Sequence, residues 1–126
     1  MILYNYRAKV IKILDADTIE LAVDLGFAVQ ANVRIRLMGI DAFETRTKDL
    51  PEKAKGLELK RRLTDLLTRY EHVYLRSSKD QTFNRWLGEI FLDASFTFSI
   101  NAEIHNWMIE LNGNANNSGI IPRPSV

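Results

Sequence analysis

Alternation of apolar and polar side chains dominates the N-terminal third of the chain. From Tyr4 to Val10 the apolar positions are even-numbered (Tyr4, Tyr6, Ala8, Val10), and beyond that point they are odd-numbered (Ile11, Ile13), with Lys12 between them. Successive side chains of a strand point to opposite faces, so a change of phase within one strand predicts a β-bulge or a sharp bend. Asp15-Ala16 reads as a tight turn. A second half-buried strand follows, with Ile19, Leu21, Val23 and Leu25 alternating with Glu20, Ala22 and Asp24, and Gly26 ends it. A third strand places Ala31, Val33, Ile35 and Leu37 inward and Gln30, Asn32, Arg34 and Arg36 outward. Arg36 is therefore predicted to point away from the core.

The period then changes. Thr45 to Asp49 is polar and reads as an exposed loop; Asp49 is a candidate N-cap with Pro51 in the first helical turn. The predicted helix runs to about Thr68, with Ala54, Leu57, Leu63, Leu66, Leu67 and Tyr70 near helical spacing. Its Lys53, Lys55, Lys60, Arg61 and Arg62 read as a solvated face. Val73 and Leu75 mark a short fourth strand, and the loop SSKDQTFN leads to Arg85 and a fifth strand from Trp86 to Leu92. Ile100, Ile104, Trp107, Met108 and Leu111 form the apolar stripe of a second helix closed by Gly113. The order of elements predicts an α+β fold, a five-stranded OB-fold-like β-barrel with one helix between strands 3 and 4 and another after strand 5. Residues 1–113 make up this domain, and the Asn-, Pro-, Gly- and Ser-containing tail 114–126 is expected to be loose.

Composition narrows the chemistry. Seventeen basic residues against sixteen acidic ones leave a net charge of +1, so a polyanion would have to be held by a local patch and not by the overall field. Cysteine is absent, and His72 and His105 are too few for a histidine-rich centre, so any metal must be bound through oxygen. No stretch approaches the ~20 apolar residues of a membrane span, and MILYNYRAKV has no apolar run of signal-peptide length. The expectation is a soluble monomer with no membrane partner and no evident protein partner, cytoplasmic as the sequence stands and secreted if a leader was trimmed.

Asp15, Asp17, Asp41, Glu44, Arg36 and Arg85 all fall at strand ends or in adjoining loops, where sites are usually built. Asp17 opens the second strand and Asp41 follows the third, so pairing of those strands as a meander brings both acids toward one edge of the barrel. Converging carboxylates repel unless a cation lies between them, and oxygen donors alone select Ca²⁺, Mg²⁺ or Mn²⁺. An arginine aimed at the same mouth either pairs with the acids or, once a cation neutralises them, grips phosphate through its planar fork. Cation, carboxylate base and two arginines would suit hydrolysis of a phosphodiester. Turn chemistry and a surface ion-pair network explain the same residues, so the pattern by itself leaves both readings open.

Three ordered segments, AKVIKILDADTIEL, VRIRLMGIDAFET and KDQTFNRWLGEIFLD, resemble the staphylococcal nuclease (thermonuclease) family, with the likeness running from about Ala8 to about Gly113. The resemblance implies a calcium-dependent nuclease that hydrolyses DNA and/or RNA with little sequence specificity and leaves 3′-phosphate and 5′-hydroxyl ends. It implies that Asp17 and Asp41 hold Ca²⁺ with the backbone carbonyl of Ala42, that Glu44 acts on the attacking water, and that Arg36 and Arg85 hold the phosphate and stabilise the transition state. The chain departs from the family at Asp15-Ala16-Asp17, where Asp-Gly-Asp is usual, and at Asp41-Ala42-Phe43-Glu44, where a proline usually stands before the glutamate. Ala16 is thus expected to burden a turn that favours positive φ, and Phe43 to constrain its loop less than proline would. Thr82 and Phe83 replace a lysine and tyrosine of some members, Asn112 to Asn117 lacks their pocket tyrosines, and their long terminal helix is missing. The alternative is a non-catalytic nucleic-acid- or protein-binding module on the same fold.

Overall fold

The computed structural model describes residues 4–79 and 86–113. The chain forms β1 (Tyr4–Asp15), β2 (Thr18–Gly26), β3 (Val29–Leu37), α1 (Leu50–Leu67), β4 (Val73–Lys79), β5 (Trp86–Phe91) and α2 (Ile100–Leu111). The strands close into a barrel in the order β1-β2-β3-β5-β4, with β4 returning to β1. β3 and β5 run parallel and the other neighbours antiparallel, so the barrel is mixed. One helix lies between β3 and β4 in sequence and the other follows β5. The loop 80–85, including Arg85, Thr82 and Phe83, and the tail from Asn114 lie outside the described residues.

The phase slip in the first strand is a bulge. Val10 sits opposite Leu21 and Lys12 opposite Glu20, so Ile11 is the inserted residue. Ile11 is correspondingly left about half exposed, and the inward phase resumes at the partly buried Ile13. On β2 and β3 the predicted alternation is realised where the strands bend over the core: Ile19, Leu21, Val23, Ile35 and Leu37 are buried. Leu25, further along the β2–β3 ribbon, is exposed.

Leu59, Leu63, Leu66 and Leu67 of α1 and Ile100, Ile104 and Trp107 of α2 join the barrel interior in one apolar core, with Met108 partly buried against it. Asp49 caps α1 by accepting the Glu52 N–H (3.4 Å), and Ser99 caps α2 by accepting the Ala102 N–H (3.1 Å). The basic face of α1 is partly neutralised on the helix itself. Arg61 pairs with Glu58 and Asp65, Arg62 pairs with Glu58, and hydrogen bonds from Arg61 and then Arg62 lower the Glu58 carboxyl to about 2. Before α2, the Asp93 carboxylate accepts the main-chain N–H groups of Phe98 and Thr97 and the Ser95 hydroxyl, which lowers it to about 2. Among the described residues no helix is long and apolar enough to cross a membrane.

Candidate functional site

Strand register brings the first candidate residues together. Thr18 lies opposite Arg36, so the start of β2 meets the end of β3, and the Leu37 N–H donates to the Asp17 carbonyl (2.7 Å). The Arg36 side chain points away from the core, as its position in the alternation requires, and is only 22% exposed. Its Nη1 lies 3.2 Å from Asp17 Oδ2 and its Nη2 lies 3.7 Å from Asp41 Oδ1. Nη1 also donates to the carbonyl oxygen of Ile40. One guanidinium therefore stands between two carboxylates and the main chain of the loop that carries the second.

The two acids are in different states of engagement. Asp17 Oδ1 accepts the Thr18 hydroxyl (2.9 Å), and Oδ2 accepts the Ala42 N–H (3.1 Å) beside Arg36. Asp17 is thus a partly buried hub that ties the β1–β2 turn to the segment after β3. The Asp41 side chain is fully exposed, with the longer Arg36 pairing as its contact. An exposed pair such as Arg36–Asp41 is worth only about 0–1 kcal/mol, and in the partly buried Arg36–Asp17 pair the cost of desolvating both charges offsets part of the Coulombic gain.

The segment from Met38 to Thr45 is held from several sides. Gly39 turns it at φ +79°, and the Ile40 N–H donates to the Leu37 carbonyl (3.3 Å) while the Ile40 side chain is buried in the core. Thr45 donates its hydroxyl to Asp15 (3.1 Å), and the Glu44 N–H donates to Glu52 Oε2 (3.1 Å) on α1. Gly56 of α1 lies directly beneath: a Cβ there would stand 2.8 Å from both the Phe43 carbonyl oxygen and Thr45 Cγ2. Lys55 stands over the Phe43 ring, 5.7 Å from its centroid. Helix α1 thus supplies contacts to a loop that has no proline at position 43.

Two expectations meet specific outcomes here. Ala16 does not occupy positive φ; the non-glycine residues that do, among those described, are Phe27, Ala28 and Phe96. Its methyl group is buried in the core, so the Asp15–Asp17 turn uses a Cβ and needs no glycine. Glu44 is exposed and fixed through its main chain, and among the described residues no three His, Cys, Asp or Glu side chains gather as a metal-binding group. The structure brings Asp17, Asp41, Ala42 and Arg36 together, and Glu44 is not gathered with the two aspartates. Arg85 lies outside the described residues, next to Trp86, which pairs with Ile35 one residue from Arg36.

Sequence reasoning missed Gly56, Glu52, Thr45 and Asn101. A glycine inside a helical pattern was a readable signal for close approach; the others carried none. Neither the models of known protein families nor the curated proteins match this chain.

Proposed function

We propose that this chain is a Ca²⁺-dependent phosphodiesterase of the thermonuclease type, acting on DNA and/or RNA on an OB-fold-like barrel. The observation that carries the reading is the Asp17–Arg36–Asp41 cluster, with nitrogen–oxygen separations of 3.2 and 3.7 Å. Two carboxylates converging on one positive centre are also the donor set of a hard divalent cation, so the residues fit Ca²⁺. Asp17, Asp41 and the Ala42 carbonyl would hold the ion, whose charge would neutralise the acids and polarise a phosphoryl oxygen. Arg36, no longer needed to balance the carboxylates, would turn its fork to the phosphate.

Glu44, exposed and only three positions beyond Asp41, would take the proton of the attacking water. Arg85 would supply the second phosphate contact, an assignment that rests on the family resemblance. Phosphate-directed contacts carry no base code, so the substrate would be single-stranded or frayed nucleic acid with little sequence preference. The resemblance gives 3′-phosphate and 5′-hydroxyl products. A binding module on the same barrel is the second reading, favoured by the absence of a three-acid group among the described residues and by the pairing of Arg36 with both aspartates.

Digestion of plasmid and single-stranded DNA and RNA, with Ca²⁺, Mg²⁺ or EGTA, separates the two. Cleavage with Ca²⁺ that EGTA abolishes is the expected result. Retarded migration without cleavage supports a nucleic-acid-binding module, and the absence of both cleavage and retardation contradicts both of these and leaves the protein-binding form of the module.

A further inference from the structure

We infer that Asn101 is a positioning residue for this site: from the first turn of α2 it sets the point at which the chain leaves β3 and so delivers Ile40 and Asp41 to Arg36. The inference rests on the proposed reading for its functional consequence, although the structural role stands without it. Asn101 is the buried polar residue of the described core, 6% exposed, where an amide is costly unless its hydrogen-bonding capacity is met. Its Oδ1 accepts the Ile90 N–H (3.1 Å), and its Nδ2 donates to the Met38 carbonyl (2.9 Å) and the Gly88 carbonyl (3.2 Å).

The placement of those partners gives the amide its meaning. Parallel pairing of β3 with β5 stops at Leu37 opposite Gly88. The Met38 N–H still donates to the Gly88 carbonyl (2.8 Å), and beyond it β3 no longer accompanies β5. Asn101 takes over at that point: its side-chain amide accepts from the Ile90 N–H and donates to the Met38 carbonyl, bridging the two groups that a continuing parallel ladder would join directly. The main chain is thereby released from the sheet at Met38, turns at Gly39, and places the Ile40 carbonyl on Arg36 and the Ala42 N–H on Asp17. An apolar side chain could fill the same space, but it could not hold the Met38 carbonyl. Asn101 contacts neither Arg36 nor the aspartates in this network and acts through the turn.

The test compares wild type with Asn101→Ser and Asn101→Asp, using Ile104→Val on the same helix as a control for general loss of core packing. Hydrogen exchange is read on protein without substrate or Ca²⁺. Both Asn101 variants should exchange the amides of residues 38–42 at least tenfold faster than wild type, relative to the β1 and β2 amides, and Ile104→Val should not. In cleavage assays at temperatures where all variants are folded, the Asn101 variants should need more Ca²⁺ for half-maximal rate and should lose kcat more than they raise KM. Exchange at 38–42 that matches the Ile104→Val control would overturn the inference. If neither Asn101 variant folds, wild-type exchange decides: the Met38 and Ile90 amides should open together with α2, and Met38 opening while α2 stays protected overturns it. A wild-type protein that cleaves nothing would remove the nuclease reading and leave the exchange result to judge Asn101 separately.

Discussion

The two ends of β2 are built by opposite means. At Thr18 the strand starts beside Asp17, whose carboxylate accepts the Thr18 hydroxyl and the Ala42 N–H and pairs with Arg36. At Gly26 it ends in a tip where Gly26, Phe27 and Ala28 have φ of 80°, 56° and 61°. Gly26 pairs with Val29, so Phe27 and Ala28 form a two-residue hairpin loop with both residues at positive φ, the type I′ requirement that Asn-Gly meets best. Phe27 is 99% exposed. Backbone strain in this pair of turns therefore lies at the end away from the candidate site. The Asp15–Asp17 turn is free of positive φ, and its character comes from polar side chains converging from three parts of the chain. For this protein, convergence and not strain marks the place to look for chemistry.

Helix α1 gives the sharpest way to break that contrast. Gly→Ala within a helix ordinarily stabilises by ~1 kcal/mol. At Gly56 the added methyl would stand 2.8 Å from a main-chain oxygen of the loop and from Thr45. Gly56→Ala should instead lose about 1–3 kcal/mol, as overpacked sites do, and should reduce cleavage by displacing Asp41 to Thr45. Thermal unfolding and turnover, measured together, check it; a more stable and fully active Gly56→Ala protein would mean that α1 does not hold the loop.

The opposite end should respond in the opposite sense, and less. Replacing Phe27-Ala28 by Asn-Gly removes left-handed strain of roughly 1–2 kcal/mol per residue, part of which should be regained as stability. Denaturant titration should show a gain of about 1–2 kcal/mol with cleavage unchanged. A change in turnover from this pair of substitutions would connect the tip to the site and dissolve the contrast.

Much of this architecture was legible in the sequence because it is local. The slip from even to odd apolar positions located the bulge at Ile11, Asp49 and Pro51 located the start of α1, and the stripe from Ile100 to Leu111 located α2. The approach of Asp17 and Asp41 followed from pairing the second strand with the third. The parallel closure of β3 against β5 was not legible, because no turn signal links two strands separated by a helix and another strand. Asn101 carried no signal in the sequence: its burial depends on where β3 ends, which its neighbours in sequence do not encode. The hairpin tip carried no turn signal beyond Gly26, because Phe-Ala is a poor type I′ pair.

The central claim is that Asp17 and Asp41 serve a cation, Arg36 serves phosphate and Glu44 serves the attacking water. Turnover measured against calcium concentration for Asp17→Asn, Arg36→Lys and Glu44→Gln tests this division most directly. Glu44→Gln should bind calcium normally and lose about 10²–10⁴-fold in kcat, the usual worth of a general base. Arg36→Lys should be severely impaired at every calcium concentration, because an ammonium cannot reproduce the fork, whereas excess calcium should partly restore Asp17→Asn. Near-normal turnover in Glu44→Gln, or full rescue of Arg36→Lys by calcium, would contradict the assignment and favour the binding module.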